Sequence, residues 1–121
     1  MATVLLVEDN ELNQEVATEL LRGAGLVVDV ADNGKSGVEK VLSASYDIVL
    51  MDVVMPGQSG YQATRELARD PQTCEIPVVI CSSKGNESDR VWGMRQGAVD
   101  YIVKPVSADI LVAKAQLALA G

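Results

Sequence analysis

Apolar residues in this chain come in short runs separated by amphipathic stretches. Thr3-Val4-Leu5-Leu6-Val7 is a continuous hydrophobic run, the pattern of a strand buried on both faces of a parallel sheet, and it stops at Glu8-Asp9-Asn10. A stretch of helical period follows, with Leu12, Val16, Ala17, Leu20, Leu21 and Ala24 predicted on one face and Glu11, Glu15 and Glu19 on the other. Gly23 and Gly25 close it. Leu26 to Ala31 predicts a second strand ended by Asp32-Asn33-Gly34, and a second helix carries Val38, Val41 and Leu42 at i, i+3, i+4. Ile48-Val49-Leu50-Met51 predicts a fully buried central strand with Asp52 at its far end and Pro56-Gly57 turning the chain beyond. A third helix is expected from Tyr61 to Arg69, with Leu67 and Ala68 inward, broken by Asp70-Pro71. Pro77 opens a fourth strand, Val78 to Cys81, left through Ser82-Ser83-Lys84-Gly85-Asn86. The fourth helix, Glu87 to Gln96, is entered at Asn86 and Ser88. It carries Val91, Trp92 and Met94 among charges, a pattern that suits core and exposed partner surface equally. The fifth strand, Asp100 to Val103, ends at Lys104-Pro105. Ser107 is the expected N-cap of a last helix whose apolar face is Leu111, Val112, Ala115 and Leu119.

Five strands alternating with five helices predict an α/β fold. Right-handed crossovers make it a doubly wound parallel sheet, and the flavodoxin-like order 2-1-3-4-5 suits five units. No linker, repeat or low-complexity segment is left over, so residues 1–121 read as a single domain.

Composition narrows the function. Seventeen acids against ten bases give a net charge of -7, which argues against direct nucleic-acid binding, since that needs clustered Lys and Arg. The run from Val4 to Val7 is far too short for a signal peptide or a membrane span, and the expected location is the cytoplasm. With no His, Ser-His-Asp and Cys-His catalysis are removed and a zinc site is disfavoured. Cys81 reads as a small buried hydrophobe and Cys74 as part of a polar connection, not as a redox pair.

In a parallel sheet every strand's carboxyl end points the same way. Glu8 and Asp9 from the first strand, Asp52 from the third, Ser82 and Ser83 from the fourth and Lys104 from the fifth therefore converge at the topological switch point, with Asp32 to one side. Three carboxylates so close together repel unless a cation sits among them, and a hard, oxygen-rich site suits Mg²⁺. A divalent ion beside a carboxylate, an ammonium and a hydroxyl equips a site for phosphoryl transfer. The best nucleophile is Asp52, which would form an acyl phosphate. Taken singly these residues have plainer readings: Asp9 and Asn10 as helix caps, Lys104 as a solvated lysine, the serines as turn residues, Tyr101 as packing.

In combination they resemble the receiver domain of two-component response regulators, a CheY-like family. The resemblance rests on Val7-Glu8-Asp9-Asn10, on Leu50-Met51-Asp52 followed by Met55-Pro56, on Ser82 and on Lys104-Pro105, and it spans essentially the whole chain. It implies that Asp52 accepts phosphate from a histidine kinase or phosphotransfer protein. It implies that Asp9, Asp52 and the backbone carbonyl of Val54 ligate Mg²⁺, with Glu8 acting mainly through water, and that Lys104 pairs with Asp52 or its phosphate. Ser82 would swing to bond a phosphoryl oxygen and Tyr101 would turn inward behind it, switching the face formed by helix 4, strand 5 and helix 5. A cis Lys104-Pro105 bond is also implied. Such a receiver is no enzyme beyond its own phosphorylation and dephosphorylation. It is expected to be a monomer whose output is contact with a downstream protein.

The first half, through Glu11-Leu12-Asn13-Gln14, resembles receivers fused to hybrid kinases. The second, with Gly60-Tyr61-Gln62 and Val91-Trp92-Gly93-Met94, resembles small twitching-motility and phototaxis receivers, as a recombined or engineered receiver joined near the central strand would. Other readings are such a scaffold with no physiological partner, a flavodoxin-like cofactor binder, and an Asp-nucleophile phosphatase of the haloacid dehalogenase type. The phosphatase normally has a second acid where Val54 stands. A cofactor binder would want a glycine loop where Glu8-Asp9 stand.

Overall fold

The computed structural model describes residues 2–53, 60–82, 86–104 and 108–120. Five strands, β1 (Thr3–Val7), β2 (Val27–Ala31), β3 (Ile48–Asp52), β4 (Val78–Ser82) and β5 (Asp100–Val103), alternate with five helices. These are α1 (Glu11–Gly23), α2 (Gly34–Ser43), α3 (Gly60–Arg69), α4 (Glu87–Arg95) and α5 (Ala108–Ala120). The sheet is parallel throughout, in the order β2-β1-β3-β4-β5. This is the flavodoxin-like arrangement that the strand-and-helix alternation predicts.

The two-residue period of a strand sorts the core into layers. Val4, Leu6, Ile48, Leu50, Val79, Cys81 and Ile102 face one side, where they pack with Leu21 of α1 and Leu111 and Ala115 of α5. Leu5, Val7, Val49, Met51 and Val78 face the other, against Val41 of α2 and Ala63 and Leu67 of α3. A smaller cluster of Val53, Ile80, Ala98 and Tyr101, joined by Tyr61, lies toward the β5 edge. β3 and β4 are buried along their whole length, which is why their sequences show no polar alternation.

Asparagines start three of the helices. Asn10, Asn33 and Asn86 each accept a hydrogen bond from the backbone N–H three residues on, satisfying a donor that the first helical turn leaves open. Two expectations change. β4 runs one residue further than predicted, so Ser82 is its last residue and not part of the loop. Leu12 and Val16, expected inward, are 67% and 50% exposed. These side chains line a groove of about 430 Å³, bounded by Leu6, Leu50 and Cys81 of the sheet and Leu111 of α5, instead of entering the core. The expected cap at Ser107 lies outside the described residues.

β2 is an edge strand, and the outward carbonyls of Val28 and Val30 would be free to pair with another chain. Arg22 of α1 donates to Val28 O (3.4 Å) and Lys40 of α2 donates to Val30 O (2.5 Å), so cations cover both. Replacing both by leucine should uncover this row and promote self-association, read by light scattering. An unchanged scattering signal would contradict that role.

Candidate functional site

Each acid owes its place to a strand end. Glu8 follows β1 and still donates its backbone N–H to Ala31 O (3.0 Å), so it is fixed as firmly as a strand residue. It is buried, as is Asp52, the last residue of β3, while the neighbouring Asp9 is exposed. Asn10 caps α1, its side chain accepting from the Asn13 N–H at 3.0 Å. Asp9 is thereby left out of the capping role, which decides an ambiguity the sequence leaves open.

Carboxylate oxygens of Glu8, Asp9 and Asp52 all lie within 4.8 Å of one another. Lys104, just past the end of β5, is brought over them by its backbone N–H, which donates to Ser82 O at 2.7 Å. Its Nζ sits 2.7 Å from Glu8 Oε1 and 3.6 Å from Asp52 Oδ2. Burial by itself would pull the pKa of this ammonium down. The hydrogen bond to Glu8 and the charges of Asp52 and Glu8 outweigh burial and hold it above the ordinary lysine range. The other oxygen of Glu8 accepts from the Asn10 N–H at 3.3 Å.

Three acids that converge in this way form an all-oxygen, anionic donor set. That is the chemistry hard cations such as Mg²⁺ select, so the residues fit the ion. Ser82 is fully buried at the end of β4, and Tyr101 is buried on β5 in register with Ile80. Val54, the expected backbone ligand, and Pro105 lie outside the described residues.

Residues 4–116 match the response regulator receiver domain family. The chain belongs to that family. It is 45% identical over its full length to Protein PilH of Pseudomonas aeruginosa, covering all of both chains. Its structure superposes with a TM-score of 0.92 on the receiver domain of a Pseudomonas aeruginosa sensor histidine kinase, which carries a magnesium ion coordinated in its active site cleft. That relative is 31% identical, with 99% of this chain and 98% of that one covered. The chemotaxis protein CheY4 of Vibrio cholerae superposes equally well (TM-score 0.92, 25% identity, 98% of each chain covered). Among the described residues of this receiver, no helix is long and apolar enough to cross a membrane.

Two supporting residues escape a reading of the sequence. Gln14 donates from Nε2 to Glu8 O (2.6 Å) and to Asp32 Oδ1 (3.0 Å), tying the two acidic turns together across α1. By composition it is one more polar residue on a helix, and nothing in the linear pattern marks it. Gly60 starts α3 so close to the strand end that a Cβ there would collide with the carbonyl oxygen of Asp52 and come within 2.6 Å of Val53 Cα. Here the atoms in the way are backbone and cannot rotate aside.

Gly60→Ala should therefore destabilise the receiver by about 1–3 kcal/mol, the usual cost of overpacking, read from chemical denaturation. Unchanged stability would show that α3 can retreat at no cost. The cysteines should separate cleanly. Burial pushes the Cys81 thiol up to about 12, the nearby Lys104 opposing this only in part, whereas Cys74 is exposed. Iodoacetamide on the folded protein should label Cys74 and spare Cys81 until denaturant is added, as peptide mass mapping would report.

Proposed function

We propose that this receiver is the phosphoacceptor of a two-component phosphorelay and that Asp52 is the residue phosphorylated. The observation that carries the reading is the joint placement of Asp52 among two further acids and under the Lys104 ammonium. Glu8, Asp9 and Asp52, with the Val54 carbonyl, would hold Mg²⁺. Glu8 would act through water, because its oxygens already serve Lys104 and the Asn10 N–H. When bound, Mg²⁺ would neutralise phosphoryl oxygens beside the carboxylates, and the related kinase receiver has a magnesium ion coordinated in its active site cleft.

The chain's own groups supply the rest. An Asp52 carboxylate oxygen forms a bond to phosphorus as the bond from phosphorus to the donor imidazole nitrogen breaks, leaving an aspartyl phosphate. Lys104, already 3.6 Å from Asp52, offsets the charge that accumulates on the phosphoryl oxygens. The Ser82 hydroxyl donates to one of those oxygens, and Tyr101 occupies the space behind it. Phosphate thereby biases two arrangements of α4, β5 and α5, the face a downstream protein reads. Moving such a pair from mostly off to mostly on takes a differential of roughly 5 kcal/mol, within reach of several charge-assisted bonds. No reaction beyond self-catalysed phosphorylation and dephosphorylation belongs to this reading.

Incubation with acetyl phosphate and Mg²⁺, followed by intact mass measurement, should show the gain of one phosphate. Asp52→Asn should show none, and EDTA should abolish the gain in the parent. Equal labelling of parent and variant, or of neither, would overturn the assignment.

A further inference from the structure

The helix over the switch touches the sheet at a glycine. Of the residues of α4, only Gly93 is buried, while Val91, Trp92 and Met94 are 40%, 48% and 38% exposed. A Cβ on Gly93 would sit 3.2 Å from both Cδ2 and Cε2 of the Tyr101 ring and 3.0 Å from Ile80 Cδ1. Contacts that close are tighter than nine in ten that real Cβ atoms make, so the neighbours would have to give by a few tenths of an ångström. The ring has little room to retreat, because Val53, Ile80, Ala98 and Tyr61 pack with it in one cluster and leave it 2% exposed. Glycine in a helix interior is otherwise a liability, since it gives up more backbone freedom than any other residue on folding. Its presence at the contact point with a buried aromatic ring gives it a purpose.

We propose that Gly93 is a positioning residue for the switch: the missing side chain is what lets the Tyr101 ring lie inward beneath α4. A methyl group at this position turns the ring toward solvent and so favours the arrangement in which Tyr101 is out, whatever the state of Asp52. The inference rests on the proposed function for its meaning as a switch, but the placement of Tyr101 is measured without any phosphoryl donor.

The test is nitration by tetranitromethane with peptide mass mapping, comparing the parent with Gly93→Ala. In the parent, Tyr101 should be protected as well as Tyr46, which is also buried. In the variant, nitration of Tyr101 should rise about tenfold, the population change expected of a core overpacked by one methyl group, with Tyr46 unchanged. A folded Gly93→Ala protein with Tyr101 still protected would overturn the proposal. Should that variant not fold, Gly93→Ala combined with Tyr101→Ala decides the matter. Recovery of folding on removal of the ring supports the steric relation, and failure to recover, with Tyr101→Ala alone folding normally, refutes it. Absence of phosphate on Asp52 would sink the proposed function while leaving the nitration result intact, so the two readings fail separately.

Discussion

Mutual repulsion among Glu8, Asp9 and Asp52 is the constraint around which this molecule is built. Three carboxylates with oxygens inside 4.8 Å can be held together only by rigid backbone and a nearby positive charge. The backbone is supplied by the parallel pairing of β1 with β3, which sets Val7 opposite Met51 and so brings the strand ends side by side. The charge is supplied by Lys104, which bridges Glu8 and Asp52. Removing either partner of such a buried pair leaves an uncompensated charge, so the site and the stability of the sheet edge are linked.

The supporting parts follow from that need for rigidity. Gln14 ties the turn after β1 to the turn after β2, and Gly60 brings the start of α3 into contact with the end of β3. On the far side, Arg65 of α3 donates to Gln96 Oε1 at 2.7 Å, and Gln96 in turn donates to Trp92 O, joining α3 to the end of α4. Asp52 thus has a stiff edge on one side and, beyond β4 and β5, a helix whose one buried residue is Gly93 on the other.

Much of this could be read from the residues in order. Strands buried on both faces announce themselves as unbroken apolar runs, and their number and spacing left little choice of topology. The converging acids were legible too, because strand ends in a parallel sheet all point one way. What escaped depends on contact in space. The hydrophobic period of α1 suggested that Leu12 and Val16 were core, yet they line an open groove facing α5, and nothing local records that gap. Trp92 and Met94 carried no signal to separate burial from exposure, and they prove exposed because α4 approaches the sheet through Gly93. Gln14 and Gly60 matter through partners that are distant in sequence or made of backbone, and neither kind of partner leaves a spacing to detect.

The register of β4 has a chemical corollary. Cys81 pairs with Asp52 across the strands and turns its thiol into the layer shared with α1 and α5, whereas Ile80 faces the ring of Tyr101. Alternation puts the hydroxyl of Ser82 on the side of Ile80. A slip of one residue would exchange oxygen for sulfur, setting a poor hydrogen-bond donor beside the tyrosine and a polar group in the aliphatic layer. In this strand, parity alone selects which heteroatom shares a face with Tyr101 and which shares one with Asp52.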